Sequence, residues 1–188
     1  MNRLVLVNKY NKLSKSFMDD IVLVEVLVGE YKYLVEEETY ESYLKLKDFL
    51  LEKGIVICIS SAFRSFERQG EIYEEFVKKY GKEYADKIVS PIGCSEHHTG
   101  LAIDVVIMVD GKFLTSNYEL MEHEDVYLEI HKYLSKFGFI LRYMKGKEDI
   151  TGYPYEPWHI RYVGKEHADY IYRNSLTLEE YLYEKGLI

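Results

Sequence analysis

An α+β fold, a single domain with a central mainly antiparallel sheet flanked by helices, is the class this sequence predicts, and three observations predict it. Apolar runs of strand length mix with stretches of helical periodicity without a regular βαβ alternation. Val109-Asp110-Gly111-Lys112 is a hairpin turn signal after one such run, which implies antiparallel pairing. The 188 residues, 47% hydrophobic and 30% charged, suit one soluble domain spanning residues 1–188. A chain of that length buries about 70% of its unfolded surface, so its core needs no staples.

The elements follow in order. Ile21 to Val28 is a short apolar run, read as a strand. Glu38 to Lys53 carries Tyr40, Tyr43, Leu44, Leu46 and Leu50 at helical spacing and stops at Gly54. Ile55 to Ser60 is β-branched and reads as a buried strand. Phe66 to Tyr80 is a helix closed by Gly81, Leu101 to Val109 a strand, and Asp125 to Phe137 an amphipathic helix ended by Gly138. Phe139 to Tyr143 and Trp158 to Val163 are strands, and Lys165 to Arg173 is a helix. Thr177 and Glu180 form a capping box that opens the last helix.

Composition excludes several classes. The net charge is −8, and no basic stripe of the kind a general nucleic-acid binder needs is present. The acidic clusters Glu36-Glu37-Glu38 and Glu122 to Asp125 read as solvated faces. Two cysteines, Cys58 and Cys94, make no disulfide framework; Cys58 reads as core. The first residues carry too short an apolar run for a signal peptide, and none approaches the ~18 apolar residues of a membrane span. The expectation is a cytoplasmic protein. The 19 tyrosines suit half-buried positions and a polar-walled cleft.

All three prolines, Pro91, Pro154 and Pro157, stiffen the segments that carry the chemistry. The first is Ser95-Glu96-His97-His98-Thr99-Gly100-Leu101-Ala102-Ile103-Asp104. Gly100 allows a bend, and strand alternation then puts Ala102 and Asp104 on one face, toward a cleft, with Leu101, Ile103 and Val105 toward the core. Spacing alone does not choose between His97 and His98 as a ligand. The second is Tyr155-Glu156-Pro157-Trp158-His159-Ile160-Arg161. His159 and Arg161 share a strand face, and Glu156 sits on the extended entry just outside it. Two imidazoles and a carboxylate are a sound catalytic zinc set that leaves one position to water. Zinc lowers the pKa of such a water to about 7, and Glu156 has the chemistry of a general base.

Read together, Ser95-x-His97-x-x-Gly100-x-Ala102-x-Asp104 and Glu156-Pro157-Trp158-His159 resemble the zinc D-Ala-D-Ala carboxypeptidase/dipeptidase family, the VanY, VanX and VanXY type. That group shares its fold with the hedgehog signalling domain. Ser60-Ser61-Ala62-Phe63-Arg64-Ser65 with Gln69 looks like the family's Ser-Gly-Tyr-Arg-Ser segment, and Gly138 to Tyr143 with Ile150-Thr151-Gly152 is similar to the dual-activity VanXY enzymes. The likeness spans Val5 to Tyr181 in blocks. It implies a zinc peptidase that removes D-Ala from peptidoglycan precursor peptides or cleaves the D-Ala-D-Ala dipeptide, as in vancomycin resistance. It implies His97, Asp104 and His159 as ligands, choosing His97 over His98, with Glu156 as base and Arg64 facing the scissile carbonyl. Ser95, Gln69 and Trp158 are implied near the substrate. Ala62 and Phe63 depart from the usual Gly-Tyr, which puts the turn carrying Arg64 in question. The remaining histidines, His123, His131 and His167, read as surface residues. Met108 to Asp125, with Lys112, Asn117 and Tyr118, is expected to border the cleft. The motifs do not discriminate an L,D-carboxypeptidase trimming tetrapeptides, and a non-catalytic zinc-binding interaction module remains a rival that has no need of Glu156 or Arg64.

Overall fold

The computed structural model describes residues 2–188. Its strands are β1 (Leu23–Val28), β2 (Tyr31–Glu36), β3 (Ile57–Ser61), β4 (Ala102–Val109), β5 (Lys112–Phe113), β6 (Phe139–Leu141) and β7 (His159–Tyr162). Its helices are α1 (Glu37–Glu52), α2 (Phe66–Tyr80), α3 (Lys82–Ile88), α4 (Asn117–Glu122), α5 (Glu124–Leu134), α6 (Glu148–Thr151), α7 (Lys165–Arg173) and α8 (Leu178–Glu184). The main sheet runs β3-β4-β7-β6, with β5 folded back on β4, and every pairing is antiparallel. The expected α+β class is the one observed.

The sheet is held from its apolar side. Ile57, Ile59, Ile103, Val105 and Ile107 pack with Tyr43, Leu46 and Leu50 of α1 and Tyr127, Ile130 and Leu134 of α5. Each such side chain contributes about 1.5–3 kcal/mol when removed from water. A second core joins Ile140 and Val163 to α7 and α8 through Ala168, Ile171, Leu178 and Leu182. The Asp110-Gly111 turn joins β4 to β5 with both residues at positive φ, 49° and 77°, as a primed hairpin turn requires.

Four elements, β2, α3, α4 and α6, go beyond the expectation. β2 pairs with β1 as a separate two-stranded sheet across Gly29-Glu30. α3, α4 and α6 are short helices too brief for a periodic signal. Burial also corrects two expectations. Glu36 is not solvated: its carboxylate caps α1 by accepting from the Thr39 backbone N–H at 2.8 Å. Cys58 is only half-buried. No helix among the described residues is long and apolar enough to cross a membrane.

Candidate metal centre

Antiparallel pairing of β4 with β7 sets Asp104 directly opposite His159. The Asp104 Oδ1 lies 2.9 Å from the His159 Nδ1. His97 arrives from a single 3-10 turn, Glu96–Thr99, which ends at Gly100 with φ +69°. A Cβ at Gly100 would lie 2.9 Å from the Leu23 side chain, so both conformation and space demand glycine there. The turn drops His97 beside the start of β4, with its Nε2 3.3 Å from the Asp104 Oδ2. The two imidazoles stand perpendicular, their centroids 5.0 Å apart. One nitrogen of each histidine and one Asp104 oxygen all lie within 4.8 Å of one another.

Each ring is fixed from behind. The His97 Nδ1–H donates to the Ala62 carbonyl at 2.7 Å, which leaves the Nε2 lone pair facing Asp104. The His159 Nε2 is buried without a hydrogen-bond partner and sits 3.6 Å from the Glu96 Oε2, buried and equally unpartnered. Two nitrogen donors and one carboxylate converging on a single point are a donor set that zinc accepts, and small side-chain shifts would bring all three to one ion. The charges agree with a cation site. Burial works against the Asp104 charge, yet His97 and His159 hold it well below the usual carboxylate range. Burial lowers the His159 imidazole, but its hydrogen bond with Asp104 and the nearby carboxylates of Glu96 and Glu156 outweigh that and push it up to about 9.

His98, the neighbour that spacing could not exclude, has both nitrogens engaged elsewhere. Its Nε2 accepts from the Gly93 N–H at 3.1 Å, and its Nδ1–H donates to the Arg64 carbonyl at 2.7 Å. The ring stacks on Phe66 with centroids 4.1 Å apart. It therefore shapes the Arg64 turn and does not converge with His97, Asp104 and His159.

The trio opens on a cleft of about 220 Å³ that Arg64, Gln69, Ser95, Asn117, Glu156 and Trp158 also line. The Glu156 Oε2 lies 3.9 Å from the His159 Nδ1. Burial pushes its carboxyl up to about 7; Asp104 adds to the rise while His159 and Arg64 oppose it. Arg64 is held by three contacts despite the Ala62-Phe63 departure. Its backbone N–H bonds the His97 carbonyl, and its guanidinium donates to the Gln69 Oε1 at 2.8 Å and the Ser61 Oγ at 3.0 Å. Gln69, fully buried, donates in turn to the Ser90 carbonyl at 2.6 Å. All eight sequence-named residues thus border one cleft. Asn117 lines it as expected from the Met108–Asp125 stretch, while Tyr118 points to solvent.

Sequence reasoning missed four contributors. Tyr143 packs its ring 4.8 Å from that of His159, and Tyr153 closes the far wall beside Ser90. His131, expected at the surface, is half-buried and donates from Nε2 to the Pro157 carbonyl at 2.9 Å, beneath the Glu156-Pro157 entry. Glu96, an unspecified position in the motif, is the most buried acid of the region.

Comparison with known proteins points the same way. The family model described as VanY: D-alanyl-D-alanine carboxypeptidase matches residues 32–165. The bifunctional D-Ala-D-Ala dipeptidase and D-Ala-D-Ala carboxypeptidase VanXYC of Enterococcus gallinarum is 33% identical over 183 residues, covering 96% of this chain and 94% of the relative. A mutant of the vancomycin resistance D,D-pentapeptidase VanY from a VanB-type cassette, solved with Zn(II), superposes with a TM-score of 0.82 at 34% identity, across 97% and 99% of the two chains. The LdcB LD-carboxypeptidase superposes with a TM-score of 0.80 at 35% identity, across 97% and 86%.

Proposed function

The chain belongs to the VanY family of D-alanyl-D-alanine carboxypeptidases, and from that premise we propose that it hydrolyses the terminal D-Ala from peptidoglycan precursor peptides, the D-Ala-D-Ala dipeptide, or both. The observation that carries the reading is the joint presence, in one cleft, of a three-donor metal set, a carboxylate poised near neutral pH and a buried guanidinium.

His97, Asp104 and His159 would hold zinc. Bound zinc supplies a Lewis acid for the scissile carbonyl and lowers the pKa of the attacking water. Glu156 takes a proton from that water onto its carboxylate and returns it to the departing D-Ala nitrogen. A carboxyl near 7 suits both halves of that exchange, since a base and acid near the working pH is most effective. Arg64, locked by Ser61 and Gln69, stabilises the oxyanion of the tetrahedral intermediate from a fixed direction. Ser95 and Trp158 border the substrate, with Ser95 a donor for its terminal carboxylate or backbone.

The test is D-Ala release by wild type and Glu156→Ala, with zinc content measured on both. The expected fall is on the order of 10²-fold or more with metal retained. Full activity in a zinc-loaded Glu156→Ala protein would remove Glu156 as the base. A second reading, an L,D-carboxypeptidase acting on cell-wall tetrapeptides, draws support from the LdcB neighbour. Parallel assays separate the two. Cleavage of D-Ala-D-Ala and of a pentapeptide ending in it supports the first. Cleavage only of a tetrapeptide with an L-centre before its terminal D-Ala supports the second.

A further inference from the structure

Glu96 is fully buried beneath the cleft, and its two oxygens are used unequally. Oε1 takes both guanidinium bonds, from the Arg142 Nε at 2.7 Å and the Arg161 Nη1 at 2.9 Å. Oε2 takes none and faces the His159 Nε2, which also has no partner, across 3.6 Å. A carboxylate serving only as counter-ion to two arginines would share its oxygens between them. This one keeps an acceptor free, aimed at a buried ring nitrogen. A shift of a few tenths of an ångström brings the pair to hydrogen-bond length.

The sheet explains the convergence. His159 and Arg161 sit two apart on β7 and so project to one side, toward Glu96. Arg142 follows β6, its backbone N–H bonded to the His159 carbonyl. Arg142 is anchored further by both oxygens of Glu179 on α8, at 2.9 and 2.7 Å, and Arg161 by the carbonyls of Arg3 and Val5. The arginines therefore fix where Oε1 sits, and the rigid carboxyl plane fixes where Oε2 points.

We propose that Glu96 is a positioning residue of the metal centre: its Oε2 accepts a hydrogen bond from the His159 Nε2–H and thereby fixes the tautomer in which Nδ1 presents its lone pair to the cation. The proposal rests on the metal reading above. A carboxylate behind a ligating histidine both orients the ring and raises its basicity, and loss of such a partner costs about 10- to 100-fold in metal affinity or activity.

Glu96→Gln is the discriminating change because it keeps the shape. Its NH2 must face either the arginine N–H groups, donor against donor, or the His159 Nε2. The latter arrangement turns Nε2 into an acceptor and moves the ring proton to Nδ1. Zinc affinity is measured by competition with a chromophoric chelator, and the visible spectrum of the cobalt-substituted protein reports the ligand field. Glu96→Gln is expected to bind zinc about 10- to 100-fold more weakly and to shift the cobalt spectrum. Glu179→Gln, which loosens Arg142 without touching His159, is expected to lower stability and leave both readings unchanged. Glu96→Asp keeps the charge for the arginines but shortens the reach to His159, and serves if Glu96→Gln fails to fold; it too should bind zinc more weakly. Wild-type affinity and spectrum in the Glu96 variants would overturn the proposal. So would an equal loss in Glu179→Gln, since that would be general loosening of the network. A wild-type protein that takes up no zinc would overturn the metal reading itself.

Discussion

Two charged clusters share strands β4, β7 and the end of β6, and they follow opposite rules. In the cleft, Asp104, Glu156, His97 and His159 crowd together with side-chain contacts of 2.9 to 3.9 Å, and a carboxyl is raised to about 7. Behind it, Glu96, Arg142, Arg161 and Glu179 form a network in which the arginine hydrogens find carboxylates or backbone carbonyls. Burial would raise the Glu96 carboxyl, but the two arginines hold it far below its usual range. The difference teaches where this fold spends stability and where it gains it. The front cluster brings carboxylates and imidazoles together on a site that could hold a cation, whereas the rear cluster matches its acids with arginines. Only the Glu96 Oε2 and the His159 Nε2 are left over, and they join the two.

The comparison can be broken at several points. The largest effect is expected in the cleft. His97→Ala should abolish tight zinc binding and reduce activity on the order of 10²-fold or more, whereas His98→Ala should retain zinc. Equal metal loss in both, measured by metal analysis after dialysis, would erase the distinction between the two histidines. In the rear cluster, Arg161→Met leaves Glu96 with one guanidinium and the Arg3 and Val5 carbonyls unsatisfied. Urea unfolding of the metal-free protein should show a loss of about 3–5 kcal/mol, the cost of breaking a buried pair from one side. A loss below about 1 kcal/mol would mean the network is not a stabilising frame.

Smaller effects sharpen the picture. Gly100→Ala, at φ +69° and facing Leu23, should cost about 1–2 kcal/mol by the same urea measurement. An unchanged midpoint would show that the turn presenting His97 tolerates a side chain. The pH profile of kcat/KM tests Glu156. The carboxylate must be ionised to accept a proton, and a bound cation only lowers its pKa. Activity should therefore fall about tenfold per unit as pH drops below an acid limb at or beneath about 7. An acid limb centred above 8 would assign the titration to another group.

The front cluster was far more legible in sequence than the rear. His97, Asp104, Glu156 and His159 lie in two short segments whose prolines and glycine announce rigid loops. α2, α7 and the Thr177-Glu180 capping box fall where periodicity and end signals put them, because those signals are local. β2 was lost although Gly29 between two apolar runs was its signal, since Tyr31 and Lys32 look outward and blur the alternation. Glu96 carried no local signal at all, because its partners are 46 and 65 residues away. The clue lay in Arg142 and Arg161 themselves. An arginine set among Leu141, Ile160 and Tyr162 in a strand is almost never buried unpaired, and two of them call for a buried acid. His131 was misread because helix amphipathicity does not reveal which carbonyl waits below.

The central claim is that two distant segments converge on one cation, and anomalous diffraction at the zinc edge from crystals grown with zinc tests it most directly. The account predicts one strong peak bounded by the His97 Nε2, the Asp104 carboxylate and the His159 Nδ1. A peak elsewhere, or none at that position, would contradict it.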